Sequence, residues 1–276
     1  MSQSNGHPAK YELYYNPFSI CSLMVLYTLR LKGRPKSPND AVDPEEIFTD
    51  IYAGDQMTEE YLLKHPKGHV PALLAPSLNV QLTDSTDITT YLMDRYPSLR
   101  PEAHRQTIED LLAELHEISY VTLSFKPEER RVEGVMDKVR EIQNRPDTSE
   151  RYRKLLQVKY DNHAASLANF TAKNQSVSSV EADSTRFFSK INALLSAQGG
   201  HVPWLFGDQT GPTALDAHTL VFVARLLDAK REHLVPRDVL AWWWPKAESK
   251  EWKSFFRGTT LHSVYVREHG GELEEH

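Results

Sequence analysis

The hydrophobic periodicity of this chain changes kind once, at Pro97-Ser98-Leu99, and that change divides it into a mixed half and a helical half. Before it, short β-rich runs alternate with helical stretches. Tyr11–Tyr15 is rich in aromatic strand formers and is stopped by Asn16-Pro17. From about Ser22 to Leu31 the pattern is helical, with Met24, Val25, Thr28 and Leu29 on one face and Gly33 as the stop signal. Arg34–Glu46, carrying Pro35, Pro38 and Pro44, reads as a loop, and Ile47–Ile51 alternates as a strand. Thr58–Lys64 is a short helix that ends before Pro66. Ala72–Leu74 and Asn79–Leu82 read as strands joined by a turn at Pro76-Ser77. Asp84-Ser85 then opens a helix that runs to about Arg95. The order is βαβαββα.

Beyond Leu99 the spacing of Leu111, Leu112, Leu115, Ile118 and Val121 or Thr122 predicts one long helix over Glu102–Phe125. Lys126–Ser149, broken by Pro127, Gly134 and Pro146, reads as a loop or a partly helical insertion. Further helices are expected at Ser149–Thr171, Ala182–Ala197, Thr213–Leu227 and from Pro236 to about Trp243. The expected division is a flexible tail at 1–10, a mixed domain at 11–97 and an all-helical domain at 101–266.

With 40% hydrophobic and 25% charged residues the composition is that of a globular protein, and a net charge of −6 offers no basic excess for nucleic acid. No apolar run approaches the roughly 20 residues that span a bilayer, and the N-terminus has no signal-like apolar region. The lone cysteine, Cys21, excludes an internal disulfide and a Cys-rich zinc site, so no metal is expected. A reducing compartment, the cytoplasm, is the default.

Three stretches carry chemistry. In His65-Pro66-Lys67-Gly68-His69-Val70-Pro71, a cis Val70–Pro71 bond would leave the Val70 backbone free to pair with an extended peptide. Only about 5–6% of X–Pro bonds in folded proteins are cis, so the motif alone reads as an ordinary turn. Asp84-Ser85 taken alone reads first as a helix N-cap, and second as an anion seat at a helix N-terminus. Thr213-x-x-Asp216 has the form of a capping box, a folding element.

The βαβαββα order, the HPKGHVPALL segment and LTDSTDITTYL resemble the thioredoxin-like half of soluble glutathione transferases, and the helical second half resembles theirs too. The resemblance implies a thioredoxin-like α/β domain followed by an all-α domain, with glutathione as cosubstrate. It implies that Val70, before the cis Pro71, binds the cysteinyl backbone of glutathione, that Asp84 and Ser85 take its γ-glutamyl end, and that His69 lies near its glycyl carboxylate. There His69 would donate a hydrogen bond, strengthened if the ring is protonated. His65 stands where the family usually has Asn.

The Asn16–Ser22 loop is similar to the Ser-x-Cys-Ser loop of the zeta class, which maps Ser19 onto the serine that hydrogen-bonds the sulfur and Ser22 onto the second serine. Cys21 then maps onto the zeta-type cysteine, read as a structural thiol in preference to a nucleophile. Met24 and Leu26 stand where zeta enzymes carry arginines, which argues against maleylacetoacetate isomerisation itself. Phe18, His116, Tyr120 and Ser124 are candidates for the pocket of a small hydrophobic electrophile. Trp242, Trp243, Trp244, Trp252, Phe255 and Phe256 read first as core.

The activity implied is glutathione transfer or glutathione-dependent cis–trans isomerisation. The long loops also resemble fungal glutathione transferases of secondary metabolism. The family implies a homodimer. A non-catalytic binding or assembly role on the same fold is the alternative.

Overall fold

The computed structural model describes residues 9–125, 132–172, 176–200 and 202–270. Four short strands, β1 (Glu12–Tyr15), β2 (Glu45–Phe48), β3 (Ala72–Ala75) and β4 (Val80–Leu82), form one sheet in the order β2-β1-β3-β4. β1 pairs parallel with β2 and antiparallel with β3. The parallel pair requires a crossover, supplied by α1 (Ile20–Leu31), and α2 (Glu59–Lys64) precedes β3. After β4, α3 (Ser85–Arg95) leads through the Pro97–Leu99 turn into helices only.

β2 begins at Glu45, inside the expected loop, and ends at Phe48, three residues before the expected end. It is an edge strand with an exposed, charged start, so its pairing with β1 leaves no hydrophobic alternation to read. The expected long helix over Glu102–Phe125 is two: α4 (Arg105–Glu117) and α5 (Tyr120–Ser124). Ile118 is extended, and the Ser119 hydroxyl accepts the Thr122 amide at 3.3 Å, starting a new helix where the apolar spacing runs on unbroken. Much of the expected insertion is helix, α6 (Val132–Gln143), while Lys126–Arg131 lies outside the described residues. α7 (Glu150–Ala172), α8 (Val177–Ala197), α9 (Ala214–Asp228) and α10 (Arg237–Ala247) follow, with α8 starting five residues earlier than expected, behind a Ser176 cap. α11 (Lys250–Lys253) and α12 (His262–His269) complete the chain.

Ala214 to Leu226 is buried throughout, so α9 is a central helix rather than an amphipathic surface one. It packs chiefly against α1, whose Met24, Val25, Leu26 and Tyr27 are 0% exposed. Met24 and Leu26 are thus fully buried in the main core, where an arginine would have to be desolvated. Trp242, Trp243, Trp252 and Phe255 are core, whereas Trp244 is 57% exposed. A second, smaller cluster joins α6 and α7 to α2 through Val139, Ile142, Leu156, Met57 and Leu62. Among the described residues no helix is long and apolar enough to cross a membrane.

Candidate functional site

The loop between β1 and α1 is organised by Asn16. Its Oδ1 accepts the Phe18 amide at 3.0 Å, its carbonyl accepts the Ser19 amide at 3.1 Å, and its side-chain amide donates to the Thr49 carbonyl at 3.0 Å. This delivers Ser19 to the N-cap of α1, where its Oγ accepts the Ser22 amide at 3.3 Å. Ser19 is half-buried, and its own O–H proton remains available to donate outward. Ser22 is 0% exposed and its Oγ accepts the Asn16 amide at 3.3 Å, which places it inside the loop's scaffold.

Cys21 connects this helix end to a second one. Its thiol meets the Ser85 hydroxyl at the start of α3; burial raises its pKa, against that hydrogen bond. Asp84 caps α3 by accepting the Thr86 amide at 2.8 Å. Burial would raise the Asp84 pKa, but the Thr86 hydroxyl and amide outweigh it and hold the carboxyl below its usual value. The Val70–Pro71 bond is cis. Since Tyr14 pairs with Ala72, Val70 lies just past the end of that ladder, beside the Asn16–Ser19 loop. The fold thus brings Ser19, Cys21, Val70, Asp84 and Ser85 to one end of the central strands β1 and β3, with two helix N-termini facing it.

His69 is exposed, next to Val70 at this end of the sheet. Partial desolvation and the neighbouring Lys159, His163 and Lys67 all push its pKa down, so the ring is neutral near pH 7. The cation there is Lys159 of α7, which is 3% exposed and donates to the Gly68 carbonyl at 2.8 Å; burial lowers its pKa to about 8. Gly68 has φ +58°, and a Cβ at that position would stand 2.7 Å from the Gln56 carbonyl oxygen, so glycine is required.

His65 does not join the site. It is 0% exposed, ringed by Tyr14 and Tyr61, and neither nitrogen has a hydrogen-bond partner. Burial, then Lys64, lower its pKa to about 4. His116 joins a buried chain instead: its Nε2 lies 2.9 Å from His218 Nδ1, and His218 Nε2 lies 3.0 Å from Thr89 Oγ1. Burial lowers His116 to about 4 and His218 well below 6.5.

All three imidazoles are neutral in the fold and would be protonated in the unfolded chain below about pH 6.5. Their contribution is therefore present above that pH and lost as pH falls toward 4. His65→Phe should leave stability at pH 7.5 unchanged or slightly higher, and exceed wild type by about 2 kcal/mol at pH 5. Denaturant midpoints at the two pH values check this; a parallel loss in both proteins would refute it.

Of the other expected pocket residues, Phe18 is buried beneath Tyr52, His262 and Tyr265, with Tyr52 and His262 stacked at 3.6 Å. The Tyr120 hydroxyl donates to the Leu115 carbonyl at 3.0 Å, and Ser124 accepts from Arg225. Sequence reasoning missed Lys159, His218 and Arg225. A signal existed for the last two, a polar residue set within the apolar run of α9. A depression of about 550 Å³ behind the Pro97–Leu99 turn, lined by Met93, Arg100, His104 and Thr210 among others, contains none of these residues.

Residues 13–102 match the family model described as glutathione S-transferase, N-terminal domain. A zeta-class glutathione S-transferase of Euphorbia esula is 33% identical over 102 residues, 36% of this chain and 41% of that protein. The chain spans 38% to 43% of the length of the curated relatives it matches. Among solved structures, a glutathione transferase family member from Pseudomonas fluorescens with two glutathione bound has a TM-score of 0.54 at 17% identity, covering 92% of this chain and 94% of that one. A bacterial maleyl pyruvate isomerase, a zeta-class glutathione S-transferase, has a TM-score of 0.51 at 18% identity, covering 89% and 96%.

Proposed function

We propose that this chain, which has the glutathione transferase fold and carries a glutathione S-transferase N-terminal domain, binds glutathione and activates its thiol against a hydrophobic electrophile. One observation carries the reading. Ser19 caps α1 with an available O–H, at the same end of the central strands as the Val70 backbone and the Asp84-Ser85 helix start.

The tripeptide would lie across that end of the sheet. Val70 offers its N–H and C=O to the cysteinyl backbone, as an added strand would. Asp84 pairs with the γ-glutamyl ammonium, and the first turn of α3 receives the adjoining carboxylate. His69, neutral, donates a hydrogen bond to the glycyl carboxylate, while Lys159 supplies positive potential behind the turn. Pro71 fixes the presentation of Val70. A free thiol ionises near pH 8.5; donation from the Ser19 O–H to the sulfur, together with the α1 N-terminus, stabilises the thiolate.

The thiolate carbon–sulfur bond forms at an electrophilic carbon. Either a leaving group departs, or the electron pair of an activated double bond moves onto its acceptor. In the second case rotation about the former double bond and expulsion of glutathione give cis–trans isomerisation with no net consumption. The zeta-class relatives support keeping that outcome beside transfer. A homodimer, a cytoplasmic site of action and a role in secondary metabolism belong to the same proposal.

Retention on immobilised glutathione, and a dissociation constant for glutathione in the micromolar to millimolar range by calorimetry, are the expected results. Absence of both would leave the fold without the enzyme and favour a binding or assembly role.

A further inference from the structure

Arg225 interrupts the apolar run of α9 and is only 4% exposed. Its guanidinium donates from Nε to Thr260 Oγ1 at 2.8 Å, and from Nη1 to Ser124 Oγ at 3.1 Å. From Nη2 it donates to the Phe18 carbonyl at 2.9 Å and the Thr260 carbonyl at 2.8 Å. All of these partners are neutral, so among the described residues no direct ion pair cancels the charge. A buried guanidinium with no directly paired carboxylate is expensive to keep, and packing alone at this position is met by Leu or Met. The Phe18 carbonyl belongs to the peptide unit whose nitrogen is that of Ser19. The charge is therefore anchored to the loop that carries the thiol-activating hydroxyl.

We propose that Arg225 is the fixed positive charge that, together with Ser19, keeps the sulfur of bound glutathione ionised. This rests on the reading of Ser19 given above. Arg225 touches neither sulfur nor electrophile; it acts through its field and through the Phe18 carbonyl, as a positioning residue.

The groups that face it are Tyr52 from the segment after β2, Asp228 one turn further along α9, Cys21 from α1 and Tyr120 from α5. Tyr52, Cys21 and Tyr120 are kept neutral at pH 7 by burial, which raises all three. Asp228 carries the opposing charge, and its Oδ2 accepts the Thr260 amide and hydroxyl at 2.6 and 2.7 Å. Across Cys21 lies Asp84, whose charge acts against a thiolate, so the Arg225 charge also offsets that repulsion.

The test is a pH titration of glutathione bound to the full chain, read by the ultraviolet absorbance of the thiolate, in wild type, Arg225→Gln, Arg225→Lys and Asp228→Asn. Arg225→Gln should raise the midpoint by about one unit, roughly tenfold less thiolate below it. Arg225→Lys, which keeps the charge but loses most of the donors, should recover most of that shift. Asp228→Asn, which removes the opposing charge and retains an acceptor, should move the midpoint down. A role confined to holding the loop would lower melting temperature in both Arg225 variants and leave the midpoint in place, overturning the proposal. Should Arg225→Gln fail to fold, an unmoved midpoint in Asp228→Asn overturns it equally. Bound glutathione titrating in wild type like the free thiol would overturn the thiol-activation reading and this proposal together. A depressed wild-type midpoint that no variant moves overturns this proposal alone.

Discussion

Ser19→Ala should lower kcat/KM for glutathione transfer by about 10²–10³-fold at pH 6.5 while leaving glutathione retention nearly intact. Removing one preorganised donor from a developing or stabilised charge costs roughly 3–4 kcal/mol in enzymes where it has been measured. The alanine removes both the donation to sulfur and the cap that accepts the Ser22 amide at 3.3 Å. Cap loss alone costs about 1 kcal/mol of stability and is visible as a lower melting temperature. The kinetic loss is the separable part. It should shrink as pH rises toward 9, because the uncatalysed ionisation of the thiol then supplies the nucleophile.

Ser22→Ala provides the contrast: Ser22 Oγ is buried on the Asn16 amide, so its loss should cost about 1–2 kcal/mol of stability and little thiol ionisation. If Ser22→Ala carries the large kinetic defect and Ser19→Ala does not, the sulfur sits on the other serine.

Asp216→Ala should be the most damaging change to the fold, by about 3–5 kcal/mol. Its carboxylate is fully buried and accepts the Leu205 amide at 2.8 Å, the Thr213 amide at 2.8 Å and the Thr213 hydroxyl at 2.6 Å. Alanine strands two buried amides and a hydroxyl at the start of the central helix. Thr213→Ala removes only one side of the capping box and should cost about 1–2 kcal/mol. Burial raises the Asp216 pKa to about 6, against those hydrogen bonds. A carboxyl raised in the fold binds its proton more tightly than in the unfolded chain, so this group opposes acid unfolding between about pH 6 and pH 3.8. Denaturant midpoints at pH 7.5 should rank wild type above Thr213→Ala and both above Asp216→Ala; equal costs would show that the box is not what anchors α9.

The elements legible in the sequence were those with local signals. α1 announces itself by a helical apolar face and a stop at Gly33, α3 and α9 by their caps at Asp84 and Thr213, and the strands β3 and β4 by their flanking turn at Pro76. The break at Ile118 was missed because apolar spacing runs straight through it, although Ser119 and Thr122 carry the cap. β2 was displaced because an edge strand tolerates Glu45 and Glu46 in the open.

At the site, Ser19 and the Asp84-Ser85 pair sit at helix starts, which sequence marks well. His65 shows the opposite case: an imidazole with no polar partner in an aromatic box is closed in by Tyr61, one turn away, and by Tyr14, which is distant in sequence. Lys159 and His69 are ninety residues apart, and no periodicity connects them. Their encounter depends on how α7 folds back over α2.

That fold-back has a consequence for how the molecule loosens. Val139, Ile142 and Leu156 of α6 and α7 share their small core with Met57 and Leu62, apart from the large core around α1 and α9. Segments with so few apolar contacts open at a fraction of the global free energy, and they open as cooperative units. The hairpin and α2 are thus one such unit, tied at its edge by Lys159 to the Gly68 carbonyl. A tripeptide lying on His69 and Val70 would be wagering part of its binding energy against that opening, so its residence time and the breathing of a helical hairpin become two faces of one equilibrium.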